Sequence, residues 1–384
     1  VPEESIELGR EELAGLLRAS LTARTPAGPF TPADVDLATW WLLQAELLGL
    51  PQFGLAMLVR ELARLDAAAA PIASGDAGAP ARSGGSAGSH DPAALVDSAG
   101  SPDSGGADRT WIDARRVPGH VAMAAAVRLA SCVARERGDA IVSLTGVGAL
   151  GILGSPVRSL ADGGLVGVAL ANSAPIVAPW GGHGPAIGTN PIAAAAPRAG
   201  GPPLVVDFAT SPTTVADLRR ARARGADLDG PGGFDAAGHP VRAAADVRAL
   251  APAGRLGSLT GLVVELLAGI GAGGRGIGPE PAGRSALVIA LDPGAHGGIR
   301  AAEVAAGLGV DWGAAGGHVP ARFDSLPATL AAAPARLRVA RAAVEALTGA
   351  RAGRAGWTQA PQGTQVPQGT QTSQGTQASR EGRS

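Results

Sequence analysis

Apolar positions along this chain follow a helical period first and a strand-like one later. Over residues 5–22, Ile6, Leu13, Leu16, Leu17 and Leu21 fall at near-helical spacing and predict a first helix. The second is marked at both ends. Thr31 is a capping residue, Pro32 suits the first helical position, Asp34 can cap back, and Gly49 follows the apolar run as a stop. A third is predicted from about Phe53 to Leu65. After residue 110 short apolar runs appear: AIVSLTG before the turn at Gly146, LVGVALA at 165–171, IAAAA after Pro191, PLVV before Asp207 and SALVIAL at 285–291. They read as buried strands. Helical patterns near 119–137, 155–162 and 258–268, after Ser211, and at 327–348 separate or follow them. Helix alternating with buried strand predicts the α/β class.

Two segments break the pattern. Residues 67–109 are almost wholly Ala, Gly, Ser, Pro and Asp, and from Trp357 the chain repeats TQAPQG-like units every six residues. Neither buries enough apolar surface to offset its ordering entropy. The expected organisation is a helical region at 1–66, a disordered insertion at 67–109, an α/β domain at 110–350 and a disordered tail at 351–384.

Composition narrows the function. The net charge of −1 over 384 residues gives no electrostatic argument for nucleic acid or an anionic membrane. Lys and Tyr are absent, which removes two common catalytic side chains. The single Cys132 excludes a disulfide framework and a Cys-based metal site, and fits a reducing compartment. No uninterrupted apolar run reaches the roughly 18 residues of a membrane span, and the acidic start lacks a signal-peptide core. The expectation is a cytoplasmic protein with no membrane or nucleic-acid partner.

Candidate chemistry concentrates between Ala171 and Ser211. Gly188-Thr189-Asn190-Pro191 and Asp207-Phe208-Ala209-Thr210-Ser211 each abut an apolar run, so each is a polar loop at a strand end, where α/β proteins place ligand contacts. Upstream, Gly146-Val147-Gly148-Ala149-Leu150-Gly151 has G-x-G-x-x-G spacing after a strand. The next strand ends in Ala171-Asn172 without the acidic residue a dinucleotide fingerprint requires, so the match alone is weak. There is no P-loop, no H-E-x-x-H and no Cys/His ligand cluster, and no metal is expected.

Together these residues resemble the malate/L-lactate dehydrogenase family of the non-Rossmann type, which includes ureidoglycolate and sulfolactate dehydrogenases and piperideine-2-carboxylate reductase. The resemblance rests on Asn172-Ser173 with Pro175, Ala178 to Gly182, Gly188 to Pro191, and Asp207 to Ser211. Trp111 to Ala114 with Gly119, Gly148 to Gly151, and Val264 to Gly269 flank it. It implies a homodimer and a non-Rossmann sheet domain, with an N-terminal helical domain, that binds NAD or NADP. It also implies hydride transfer between the nicotinamide and a small-molecule 2-hydroxyacid/2-oxoacid or cyclic imine. It places Gly148, Ala149, Leu150, Asp207, Phe208, Ala209 and Thr210 at the cofactor, and Thr189 and Asn190 at the substrate.

The chain departs from the family pattern where that pattern supplies acids and cations. Its Ser-His-Gly turn with a following Arg reads Pro51-Gln52-Phe53-Gly54 with Met57, and its Asn-His-Phe-Gly turn reads Thr145-Gly146-Val147-Gly148. The usual Lys positions hold Asp217 and Leu256, and a turn near the C-terminus is reduced to Val319-Pro320-Ala321-Arg322. A more apolar pocket is expected. His183, six residues before Thr189, is the candidate proton donor, while Arg60 reads as a solvated arginine and His120 as a helix-opening bystander. Three readings follow: an NAD(P)-dependent oxidoreductase with altered substrate choice that uses a displaced acid or a water, a catalytically inactive relative that keeps the fold, with or without cofactor binding, as a binding or regulatory protein, and a dimerising structural subunit.

Overall fold

The computed structural model describes residues 4–69, 111–276 and 283–352, so the expected insertion and repeat tail lie outside the described residues. Its centre is a six-stranded mixed sheet. In chain order the strands are β2 (Trp111–Asp113), β3 (Asp139–Thr145), β4 (Val166–Ala171), β5 (Ile192–Ala196), β6 (Leu204–Phe208) and β10 (Ser285–Leu291). Across the sheet they run β2-β3-β10-β4-β5-β6, with β2 parallel to β3 and every other pair antiparallel. β10 is therefore central although it arrives last, and it alone joins the β2-β3 pair to the β4-β5-β6 meander.

Helices α4 (Gly119–Arg137) and α5 (Gly154–Asp162) pack on one face of the sheet, with α2 (Pro32–Leu47) behind them. α1 (Arg10–Thr22), α2 and α3 (Leu55–Ala69) share one apolar core with α4 and the sheet, through Leu17, Leu42, Leu58, Val121 and Val142. The Thr31 hydroxyl and Asp34 carboxylate form the expected reciprocal cap on α2. The other face of the sheet carries α7 (Gly254–Val264), which continues as a π-helical segment to Gly271 and packs Val264 and Ala268 against Leu170 and Leu287. Among the described residues this one helix, Gly254–Gly271, is long and apolar enough by length and composition to cross a membrane. Sequence reading did not flag it because Arg255 and Glu265 interrupt the apolar run.

A small sheet of β7 (Gly233–Phe234), β8 (Pro240–Val241) and β9 (Ala249–Leu250) has its own core around Val177, Ile187 and Leu250, joined by Leu218 of α6 (Val215–Arg224).

Two predicted helices are corrected. Residues 5–22 split into strand β1 (Ser5–Gly9) and α1. Ile6 and Leu8 alternate with Ser5 and Glu7, a period of two that the helical reading absorbed. The stretch at 327–348 holds a turn at Leu330–Ala332, strand β11 (Arg336–Ala340) and α9 (Arg341–Ala352). Leu337 and Val339 of β11 point inward between exposed arginines, and β1 pairs antiparallel with this strand. One helix, α8 (Ala301–Ala314), was not anticipated.

Candidate active site

The ends of β4 and β6 open onto a cavity of about 430 Å³, walled also by α3, the 147–153 turn and the start of α6. This lies within the roughly 300–1,000 Å³ usual for small-molecule sites. Of the residues expected at a site, Gly148, Ala149, Leu150, Thr189, Asp207, Phe208 and Ala209 line it.

Asp207 is its most informative group. The strand register of β6 against β5 sets it beside the α5 N-terminus, where its carboxylate accepts from the Gly154 N–H at 3.0 Å. Burial pushes its pKa up to about 6, against the lowering effects of that amide and of Arg322. A cavity-lining carboxyl that titrates near pH 6 can both give and take a proton close to neutrality.

Glu61 fixes the opposite wall. Its carboxylate accepts from the backbone N–H groups of Gly119 at 3.3 Å and Ala149 at 3.1 Å, and pairs with Arg64 at 2.7 Å. Burial alone would raise its pKa, but Arg64 and the two amides outweigh this and hold it below the ordinary value. The glycine at 148 allows the approach: a Cβ there would stand 1.7 Å from Glu61 Oε1.

Two expected site residues serve the frame instead. Asn190 is fully buried and does not line the cavity. Its amide donates to Glu265 Oε2 at 2.8 Å and to the Gly261 carbonyl at 3.0 Å, while its carbonyl oxygen accepts from the Ser173 N–H at 3.3 Å. It is the single non-glycine residue with positive φ among those described, at 34°. Thr210 is also buried, and its hydroxyl and N–H both donate to the Thr189 carbonyl at 3.0 Å. Both residues hold Thr189 in place at the wall.

The structure does not bring His183 to the cavity. It is exposed on the loop before Ala186, close to Gly238 beside the small sheet, because the bridge between Val177 and Ile187 turns that loop outward. His120 opens α4 and is buried, and burial lowers its pKa to about 4 against the opposing pull of Glu61. It is neutral and does not line the cavity.

The expected apolar pocket is also corrected. Phe53, Met57 and Val147 line the cavity as anticipated, but Arg60, Arg64, Arg219, Arg284 and Arg322 line it too. Arg60 lines the cavity while staying exposed to solvent. Met57, Arg60, Glu61 and Arg64 follow i, i+3, i+4, i+7 spacing on α3, a signal the sequence carried. Arg284 and Arg322 sit in connections that carry no such period. Asp217, where the resemblance expects a Lys, forms with Thr214 a reciprocal cap on α6, and the cation comes from Arg219 two residues on.

Comparison with known proteins now bears on this geometry. The family model described as malate/L-lactate dehydrogenase matches residues 104–310. The chain belongs to this family. It is 38% identical over 159 residues to a (2R)-3-sulfolactate dehydrogenase (NADP(+)) of Chromohalobacter salexigens, covering 41% of this chain and 48% of that protein. To a Δ1-pyrroline-2-carboxylate/Δ1-piperideine-2-carboxylate reductase of Pseudomonas syringae pv. tomato it is 42% identical over 151 residues, covering 38% and 44%. The matches thus span less than half the length of these two relatives. The crystal structure of a dehydrogenase from Sinorhizobium meliloti superposes with a TM-score of 0.65 at 25% identity, covering 90% of this chain and 98% of that one.

The family implies a nicotinamide dinucleotide, and the cavity's residues fit one. Ser173 Oγ and Gln52 Oε1 line it and are buried with no hydrogen-bond partner among the described residues. Gly148 and Ala149 let a ligand approach the backbone, Phe208 offers a ring face, and the arginines suit phosphate.

Proposed function

We propose that the protein is an NAD(P)-dependent oxidoreductase that interconverts a small 2-hydroxyacid and its 2-oxoacid, or reduces a cyclic imine. The observation that carries this reading is Asp207, whose pKa burial raises to about 6, in a cavity lined by arginines, in a chain of this family. When bound, the dinucleotide supplies the hydride. Gly148, Ala149, Leu150, Phe208 and Ala209 would hold it, with Thr189 facing the substrate.

In the reducing direction Asp207 would donate its proton to the oxygen of a 2-oxoacid or the nitrogen of an imine, and its carboxylate would then be reprotonated from solvent. This role stands in place of the imidazoles that Phe53 and Val147 replace. Arg322, which acts on Asp207, is placed to hold the substrate's carboxylate and to stabilise the Asp207 anion after transfer. Phe53, Met57 and Val147 keep water from the reacting carbon.

A homodimer is part of the same proposal. Leu259, Val263, Leu266 and Ile270 recur at i, i+4, i+7, i+11 on the outer face of the α7 helix and are 48%, 49%, 52% and 60% exposed. Its inner face is anchored by Glu265, which binds Asn190 and Arg275. A polar-anchored helix with an apolar outer stripe suits a second copy better than a lipid core. A reducing compartment is consistent with the exposed thiol of Cys132.

The test is NADH and NADPH oxidation against a panel of 2-oxoacids and cyclic imines, with Asp207→Asn beside the wild type. Turnover that falls about 10²- to 10⁴-fold in the variant is expected. Absence of turnover with every substrate and both cofactors overturns the reading.

A further inference from the structure

The cavity's charges form two separate groups. Asp207 is influenced by Arg322 alone among the arginines. The other four act on one another: Arg219 lowers the pKa of both Arg60 and Arg284, and Arg64 lowers that of Arg284. Glu61, the carboxylate that acts on Arg284, is already committed to Arg64 and two backbone amides. Arg284 is partly buried at the start of β10, and its side chain makes no ion pair or hydrogen bond among the described residues. Arg60 gives one hydrogen bond, to the Gln52 carbonyl at 3.2 Å.

Four guanidinium groups around one carboxylate leave a surplus of positive charge in a partly enclosed space. Arg60, Arg64 and Arg219 are exposed and Arg284 is partly buried, and like charges along one wall repel until an anion sits among them. Arginine presents its donors in a planar fork that matches oxyanions bidentately. Such a set, lining the same cavity as Asp207, holds an anionic group well.

We propose that Arg60, Arg64, Arg219 and Arg284 form a subsite for an oxyanionic group located away from the reacting carbon of the ligand complex. This rests on the oxidoreductase reading for the identity of the ligands. Two groups have the required chemistry: a second acidic group of the substrate, carboxylate or sulfonate, and a phosphate of the dinucleotide. In the first case the enzyme selects dianionic over monoanionic 2-hydroxyacids. In the second the arginines set the affinity for the cofactor.

The experiment is calorimetric titration of the full chain and of Arg284→Gln and Arg60→Gln, each checked for an unchanged melting temperature. The probes are NADH, NADPH, and, in the presence of NADPH, malate and lactate. Inorganic pyrophosphate is titrated alone as a probe that needs no catalytic function. Loss of one charge-assisted contact is expected to weaken the relevant probe about 10- to 100-fold. Weakened malate with lactate unchanged assigns the subsite to the substrate's second acid. Weakened NADPH, with or without NADH, assigns it to a cofactor phosphate. Pyrophosphate binding that both variants lose, in a protein that binds neither cofactor, keeps the subsite and removes the oxidoreductase reading. Binding of every probe within twofold of wild type in both folded variants overturns the subsite, as does a wild type that binds no anion at all.

Discussion

Asp207→Asn separates a cavity carboxyl with a raised pKa from an ordinary one through stability alone. The ordinary pKa of 3.8 is raised to about 6 in the folded chain. A shift of about two units corresponds to about 3 kcal/mol. The folded state keeps a proton that the unfolded chain releases, so between these two values it binds more protons. Stability from this group is therefore fully present below pH 3.8, falls as pH rises, and is lost above about pH 6. Asparagine keeps an oxygen to accept from the Gly154 N–H and carries no charge at any pH. The variant is expected to match wild type near pH 4, to exceed it by about half the full difference near pH 5, and to exceed it by about 3 kcal/mol above pH 7. Urea unfolding of both proteins from pH 4.5 to 8 reads this difference directly. A difference that stays constant over that range, or that shrinks as pH rises, refutes the claim that burial raises the Asp207 pKa.

Other perturbations test the frame. Gly148→Ala puts a methyl group where Glu61 stands and is expected to cost about 1–3 kcal/mol, read by denaturant unfolding, as Glu61 leaves its amide partners. Asn190→Ala removes the donor to Glu265 Oε2, leaving Arg275 and Asn172 on Oε1, and keeps an alanine at φ 34°; a loss of about 1–3 kcal/mol is expected by thermal unfolding, and a loss below about 0.5 would show that the network carries no stability. Leu266→Glu with Leu259→Glu introduces charge into the outer stripe of α7, and sedimentation is expected to show monomers where the wild type sediments as a dimer. His183→Ala is expected to leave turnover unchanged, since its ring lies outside the cavity.

The strands of the main sheet were legible because each is a short apolar run bounded by Gly, Pro or polar turns, and SALVIAL coincides with β10. The caps of α2 were legible residue by residue. β1 and β11 were not, since each is five residues long and abuts a helix whose period swamps the alternation. At the site, backbone-facing motifs such as Gly148-Ala149-Leu150 and Asp207-Phe208-Ala209 could be read locally. Arg60 and Arg64 carry the helical spacing of α3, but their meeting with Arg219, Arg284 and Arg322 could not be read, because the five arginines come from four distant parts of the chain and join only in the fold. Asn190 misled because a polar residue in a turn motif reads as a ligand contact, whereas this one ties the turn to the helix behind it.

The place of β10 constrains the order in which the molecule is built. Until residues 285–291 are in hand, β3 and β4 have no common neighbour, and each shows a bare row of amides and carbonyls to the other across the gap of one strand. Such open edges invite pairing with other chains. The keystone is placed more than a hundred residues after the strands it joins, so the pairing that closes the sheet is among its most non-local contacts, and slow closure is expected. A nascent chain that stops short of Ser285 holds two half-sheets and no whole one.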